Sequence, residues 1–150
     1  PEGSSPFWVR IEVIAFDTAT PTLAPPTLTP TAVVFISGNA QLELDQAYDL
    51  DLAALGPGDG DDLILRRSGE MLEWVPANEA RIVVHGATEP GSEACKSAVT
   101  STEPLVLGIE LEGSYLCVRT DRGLPAQVYL AHVDPAAPAL EIQFVVWSAP

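Results

Sequence analysis

The stretch AQVYLAHVDPAAPALEIQFVVW, residues 126–147, decides the class of fold. In its last run, Leu140, Ile142, Phe144 and Val146 share one face, with Glu141 and Gln143 on the other. Successive side chains of an extended chain point to opposite sides, so a period of two marks a strand with one buried face. The preceding run, AQVYLAHV, carries the β-branched and aromatic residues that strands favour. Between them stands DPAAP, whose prolines lack the N–H a ladder needs, so it reads as a turn.

Working outward, the same unit recurs from residue 33 onward. AVVFIS is cut by Gly38-Asn39, and AQLELD then alternates. AYDLDL runs into the turn-rich GPGDGDD, LILRR ends at Ser68-Gly69, and MLEWVP and ARIVVHG follow. After the loop ATEPGSEACKS come EPLVLGIELEGS, YLCVRT and the turn DRG. The one segment with helical potential, SEACKSAV, is short. Strands recurring every ~8–12 residues between Gly/Pro/Asp turns predict an all-β, antiparallel sandwich.

Toward the N terminus the pattern changes. FWVRIEVIAF, residues 7–16, places Phe7, Val9, Ile11, Val13 and Ala15 on one wholly apolar face of a strand. TATPTLAPPTLTPTA, residues 18–32, holds Pro21, Pro25, Pro26 and Pro30 and is extended, polyproline-like chain. The expected organisation is therefore an N-terminal strand (1–17), a Thr/Pro-rich linker (18–32) and a sandwich domain (33–150). Such a linker reaches ~45 Å at ~3.1 Å per residue, whereas the following domain has a diameter of ~35 Å. Compact domains seldom use so long a structureless connection. The strand either folds back on its own sandwich or completes the sheet of a neighbouring subunit. The expectation is donation, which does not close on itself and builds a head-to-tail homopolymer.

Composition limits the alternatives. The chain has 150 residues, 47% of them hydrophobic, enough to bury a core. Seven basic against 21 acidic residues give a formal charge of −14, which opposes nucleic acid and anionic membranes as partners. No apolar run approaches the ~20 residues of a membrane span, so membrane insertion is not expected. Residues 1–16 lack the layout of a signal peptide, and a chain beginning at Pro1 suggests a mature, exported form. Cys95 and Cys117 lack CxxC or His partners, which argues against a metal site there; a disulfide in an oxidising compartment is expected.

EGSYLCVRT is the most specific local signal. Gly113, Tyr115 and Cys117 match the spacing of a tyrosine corner, where a Tyr hydroxyl bonds back to nearby backbone in immunoglobulin-like sandwiches. Leu111 stands where an acidic residue is expected, and Cys95 lies too near in sequence for the usual inter-sheet pair. From YDLDL through YLCVRT to the terminal VVW, residues 45–147, the chain loosely resembles bacterial extracellular modules. Those follow Thr/Pro tethers in multidomain surface proteins, sensor kinases among them. The resemblance implies export and a β fold, and lends no catalytic residues.

DQAYDLDLAALGPGDGDDL gathers Asp45, Asp49, Asp51, Asp59, Asp61 and Asp62. Clustered carboxylates suit calcium, but the spacing fits neither an EF-hand nor a nonapeptide repeat. The expectation is a solvated acidic turn, with no metal and no cofactor. His85 and His132 have no metal-ligand spacing, and no GxSxG, HExxH or phosphate loop occurs. RTDRG reads as a turn whose Arg and Asp face outward. The sequence thus points to a non-enzymatic surface filament subunit. Its alternative is a ligand-binding or sensory ectodomain on a Thr/Pro stalk, recognising glycan or another surface polymer.

Overall fold

Strands β1 (Val34–Glu43), β2 (Ala47–Asp49), β3 (Ala54–Leu55), β4 (Leu63–Ser68) and β5 (Met71–Pro76) lead into β6 (Arg81–Gly86). A short helix α1 (Gly91–Ser97) follows, then β7 (Leu105–Leu107), a 3-10 turn (Ile109–Leu111), β8 (Tyr115–Arg119), β9 (Pro125–Asp134) and β10 (Ala139–Trp147). This computed structural model describes residues 32–56 and 60–148. The expected donor strand, with Phe7, Val9, Ile11, Val13 and Ala15, and nearly all of the Thr/Pro linker lie outside the described residues.

The strands form two five-stranded sheets, ordered β1-β10-β9-β8-β6 and β3-β2-β4-β5-β7. Neighbouring strands in both sheets run antiparallel, including β1 with β10, β10 with β9 and β4 with β5. The chain is mostly β, and its two sheets bury one common core. Leu140, Ile142, Phe144 and Val146 line that core from β10, as their alternation requires. Leu116, Val118, Val128 and Leu130 join them from the same sheet, and Leu63, Leu65, Leu72 and Trp74 face them from the other.

Gly38-Asn39 does not cut the first strand. β1 runs straight through it, pairing Gly38 with Phe144 and Asn39 with Gln143. A Cβ built on Gly38 would lie 3.3 Å from the Phe144 ring, so the glycine makes room for an aromatic neighbour rather than a turn. Ser68-Gly69 does turn: Ser68 pairs with Met71 across the β4–β5 hairpin, and Gly69 has φ +64°, open to glycine without penalty.

Cys95 and Cys117 are joined, and both are buried. Cys117 points away from the main core, opposite its neighbours Leu116 and Val118. The bridge carries Cys95 of α1 onto that outer face, where Val83, Ala98, Val145 and Trp147 complete a second apolar cluster. The first cysteine thus sits on a helix rather than in a loop. The bridge spans a sequence separation of 22, which chain entropy makes worth ~3 kcal/mol. Replacing both cysteines by Ala should lower the urea-unfolding free energy by about that amount; an unchanged midpoint would show that α1 packing alone holds this face.

Candidate functional site

At one end of the sandwich the β2–β3–β4 connections meet the β8–β9 loop. Asp49 closes β2, Asp51 follows the buried Leu50, and Asp61 and Asp62 immediately precede β4. Backbone bonds hold these segments: Gly56 N–H donates to Ala47 at 2.8 Å, Asp62 N–H to Tyr48 at 2.9 Å, and Ala77 N–H to Asp62 at 2.7 Å. The Asn78 side chain donates to the Asp61 carbonyl at 2.7 Å. Across from them, Thr120 and Gly123 close the β8–β9 turn with a 2.8 Å bond, and Leu124 N–H donates to the Thr120 hydroxyl oxygen at 3.1 Å.

The carboxylates are not a solvated turn. Asp49, Asp51, Asp61 and Asp62 are all buried. One oxygen from each of Asp49, Asp51 and Asp62 lies within 4.8 Å of the others. Asp62 has an evident structural task. Its Oδ2 accepts from Leu50 N–H at 2.8 Å and its Oδ1 from Asp121 N–H at 2.6 Å, so a single side chain ties one sheet's loop to the other's. Asp49 Oδ1 accepts from Leu52 N–H at 3.0 Å.

Asp51 has no such task. It is 2% exposed, and neither carboxylate oxygen has a hydrogen-bond partner. Thr120 and Asp121 are its polar neighbours, but neither presents a bond of acceptable geometry. Asp121 Oδ1 is likewise buried and unpartnered. Backbone close approach shapes the space: a Cβ on Gly60 would lie 2.9 Å from Asp49 Oδ2, and one on Gly56 would collide with the Asp61 carboxylate. Both glycines leave room for carboxylates that any larger residue would displace.

Burial dominates the electrostatics. It pushes the Asp62 carboxyl up to about 7, against the pull of the Asp121 and Leu50 N–H groups and with the Asp51 and Asp121 charges adding to the rise. Burial, followed by the adjoining Asp121 carboxyl, pushes Asp51 up to about 6, and burial also raises Asp49. Among the described residues no Lys or Arg forms an ion pair with Asp49, Asp51 or Asp62. The Arg122 charge opposes the rise at Asp51 only weakly, and its guanidinium lies over the Phe35 ring at 5.4 Å from the centroid.

The other expected residues fall elsewhere. Asp45 is exposed with φ +67°, away from the cluster, and Asp59 lies outside the described residues. His85 is exposed, and His132 meets Glu112 at 2.7 Å on the surface. Gly113 has φ +86° and donates to Leu130 at 2.8 Å, but among the described residues the Tyr115 hydroxyl has no backbone partner. Its ring packs on Tyr129 instead, centroids 4.8 Å apart, so the tyrosine-corner bond is not formed. Asp121, read as an outward-facing turn residue, turns back to the carboxylate cluster.

A second feature lies on the outer face of the β1-β10-β9-β8-β6 sheet. There Ser37, Asn39, Gln127, Gln143, Tyr115 and Tyr129 line a shallow depression of about 400 Å³. Gln127 is fixed in it, accepting from Gly91 N–H at 3.0 Å and donating to Glu89 at 2.8 Å. No family model, curated protein or solved structure matches this chain.

Proposed function

We propose that the chain is a non-enzymatic, exported structural module with an immunoglobulin-like sandwich, and that it assembles by adding a strand to the outer edge of β1. The observation that carries this reading is the contrast among the sheet edges. β3 and β7 are short, with two and three residues, and the edge of β6 is capped by the Ile82–Ser101 bridge. β1 has ten residues, and among the described residues only β10 pairs with it. It holds no Lys and no Pro, the residues that usually protect an edge, and its one irregularity is confined to Val34/Ile36. Val33, Val34 and Phe35 are exposed at its start, and Ile36 and Ala40 are only partly buried beneath it.

The occupant that fits is residues 7–16 of a neighbouring copy. Their alternating apolar face, Phe7, Val9, Ile11, Val13 and Ala15, matches β1 in length and would cover Ile36 and Ala40. The linker supplies the reach. The disulfide and the absence, among the described residues, of a helix long and apolar enough to cross a membrane are compatible with an extracellular setting. Removing eight residues from 18–32 cuts the reach by ~25 Å. That variant should run as a monomer on a sizing column where the intact chain runs as a polymer. A shortened protein that still polymerises, or an intact one that stays monomeric at high concentration, overturns the reading.

The Tyr/Gln depression favours a second reading, a glycan-binding ectodomain. Paired tyrosines offer flat apolar faces to sugar rings, and fixed amides offer donors and acceptors to their hydroxyls. That reading requires a monomer whose ligand binding disappears with Tyr129→Ala.

A further inference from the structure

A buried carboxylate with both oxygens unpartnered is costly, because it gives up water and gains nothing in exchange. Hydrogen bonds to the Leu50 and Asp121 N–H groups account for Asp62. Nothing in the described fold accounts for Asp51, held among Asp49, Asp62 and Asp121 with a second orphaned oxygen, Asp121 Oδ1, also buried. An apolar side chain of similar size would relieve the cost, and the one cation whose charge reaches Asp51, Arg122, forms no ion pair with it, so the cluster calls for a further positive partner.

We propose that Asp49, Asp51 and Asp62 bind a calcium ion, with Asp121 and Thr120 of the β8–β9 loop completing the oxygen shell. This goes beyond the assembly reading and does not depend on it. The donor set is all oxygen, the choice of a hard cation, and the group contains no His or Cys of the kind zinc prefers. Burial favours calcium over magnesium. Calcium readily takes a shell made wholly of protein oxygens, whereas magnesium dehydrates reluctantly and usually keeps several waters, and Asp49, Asp51 and Asp62 are all buried. Asp62 keeps a lone pair on each oxygen after accepting its backbone N–H, so its loop-tying bonds also orient it as a ligand. Gly60 passes so close to Asp49 that a Cβ there would lie 2.9 Å from its Oδ2, so the glycine leaves that ligand its room.

The test uses the full chain, stripped with chelator and titrated with calcium chloride or magnesium chloride by calorimetry and thermal melting. The expected result is saturable binding of one calcium per chain, a raised melting temperature reversed by chelator, and weaker binding of magnesium. Asp51→Asn should fold like the parent by circular dichroism, since no hydrogen bond of the fold rests on the Asp51 carboxylate. It should weaken calcium binding by at least ~10–100-fold, the loss typical even of outer-shell partners. Asp49→Asn, a second ligand on a different part of the loop, should do the same. A chelator-stripped parent that neither binds calcium nor gains stability, or undiminished binding in both variants, would overturn the site.

Discussion

Metal-free protein should become more stable as the pH is lowered from about 8 toward 4.5, and Asp62→Asn should flatten that slope. The sign follows from which state holds the proton more tightly. Burial raises the folded-state Asp62 carboxyl to about 7, while an unfolded chain titrates near ~3.9. Between those values the folded state binds the extra proton, so its stability is fully present below the unfolded value and is lost as pH rises through about 7. A separation of ~3 pH units corresponds to on the order of 4 kcal/mol at ~1.36 kcal/mol per unit. Asp51 and Asp49, raised in the same direction, steepen the slope, while the two backbone N–H groups that Asp62 accepts moderate it. Urea midpoints across the range measure the effect. A stability that climbs with pH between 5 and 7 would mean that Asp62 stays ionised and its charge is compensated.

Trp74→Ala should cost ~3–5 kcal/mol, the range for removing a large aromatic from a packed core. Trp74 on β5 is fully buried, with Leu65 opposite it on one side and Leu105 on the other. Trp74→Phe should cost clearly less than Ala. The phenyl ring keeps most of the contacts, and the indole Nε1–H, buried and without a partner, is removed rather than orphaned. Equal losses for Phe and Ala in equilibrium unfolding would mean that this N–H finds a bond on which the core depends.

What was legible in the sequence follows from how local the cause is. β10 could be read from Leu140, Ile142, Phe144 and Val146 because the pleat alone sets the period of two. The β4–β5 turn was visible because Gly69 requires only its own backbone. Gly38 misled for the opposite reason: its use depends on the Phe144 ring, which the fold supplies from more than a hundred residues away. The same limit hid the acidic site. Asp49, Asp51 and Asp62 match no linear calcium motif, since their spacing is closed by the β2–β3–β4 path and by a loop near residue 121. Runs of Asp ordinarily mean solvent, and burial alone separates the two cases. Tyr115 shows that matching spacing does not ensure a bond: the ring found an aromatic neighbour, and the hydroxyl did not turn back.

Val34 and Trp147 are cross-strand partners, and the ladder extends one step further through Ser148 N–H to the Val33 carbonyl at 2.9 Å. The polypeptide therefore enters and leaves the sandwich at the same point, on adjacent strands. Tension applied through the flanking chain would open the β1–β10 pair from that end, one hydrogen bond at a time, as a zipper does, rather than load all of its bonds together. Pulled in that direction the domain is a soft, extensible element that yields early. A strand lying parallel to β1 along its far edge would be pulled from the opposite end and carry load in shear, its bonds resisting together, whereas an antiparallel one would peel as β10 does. The direction of an added strand would therefore decide whether an assembly is stiffer than its own subunits.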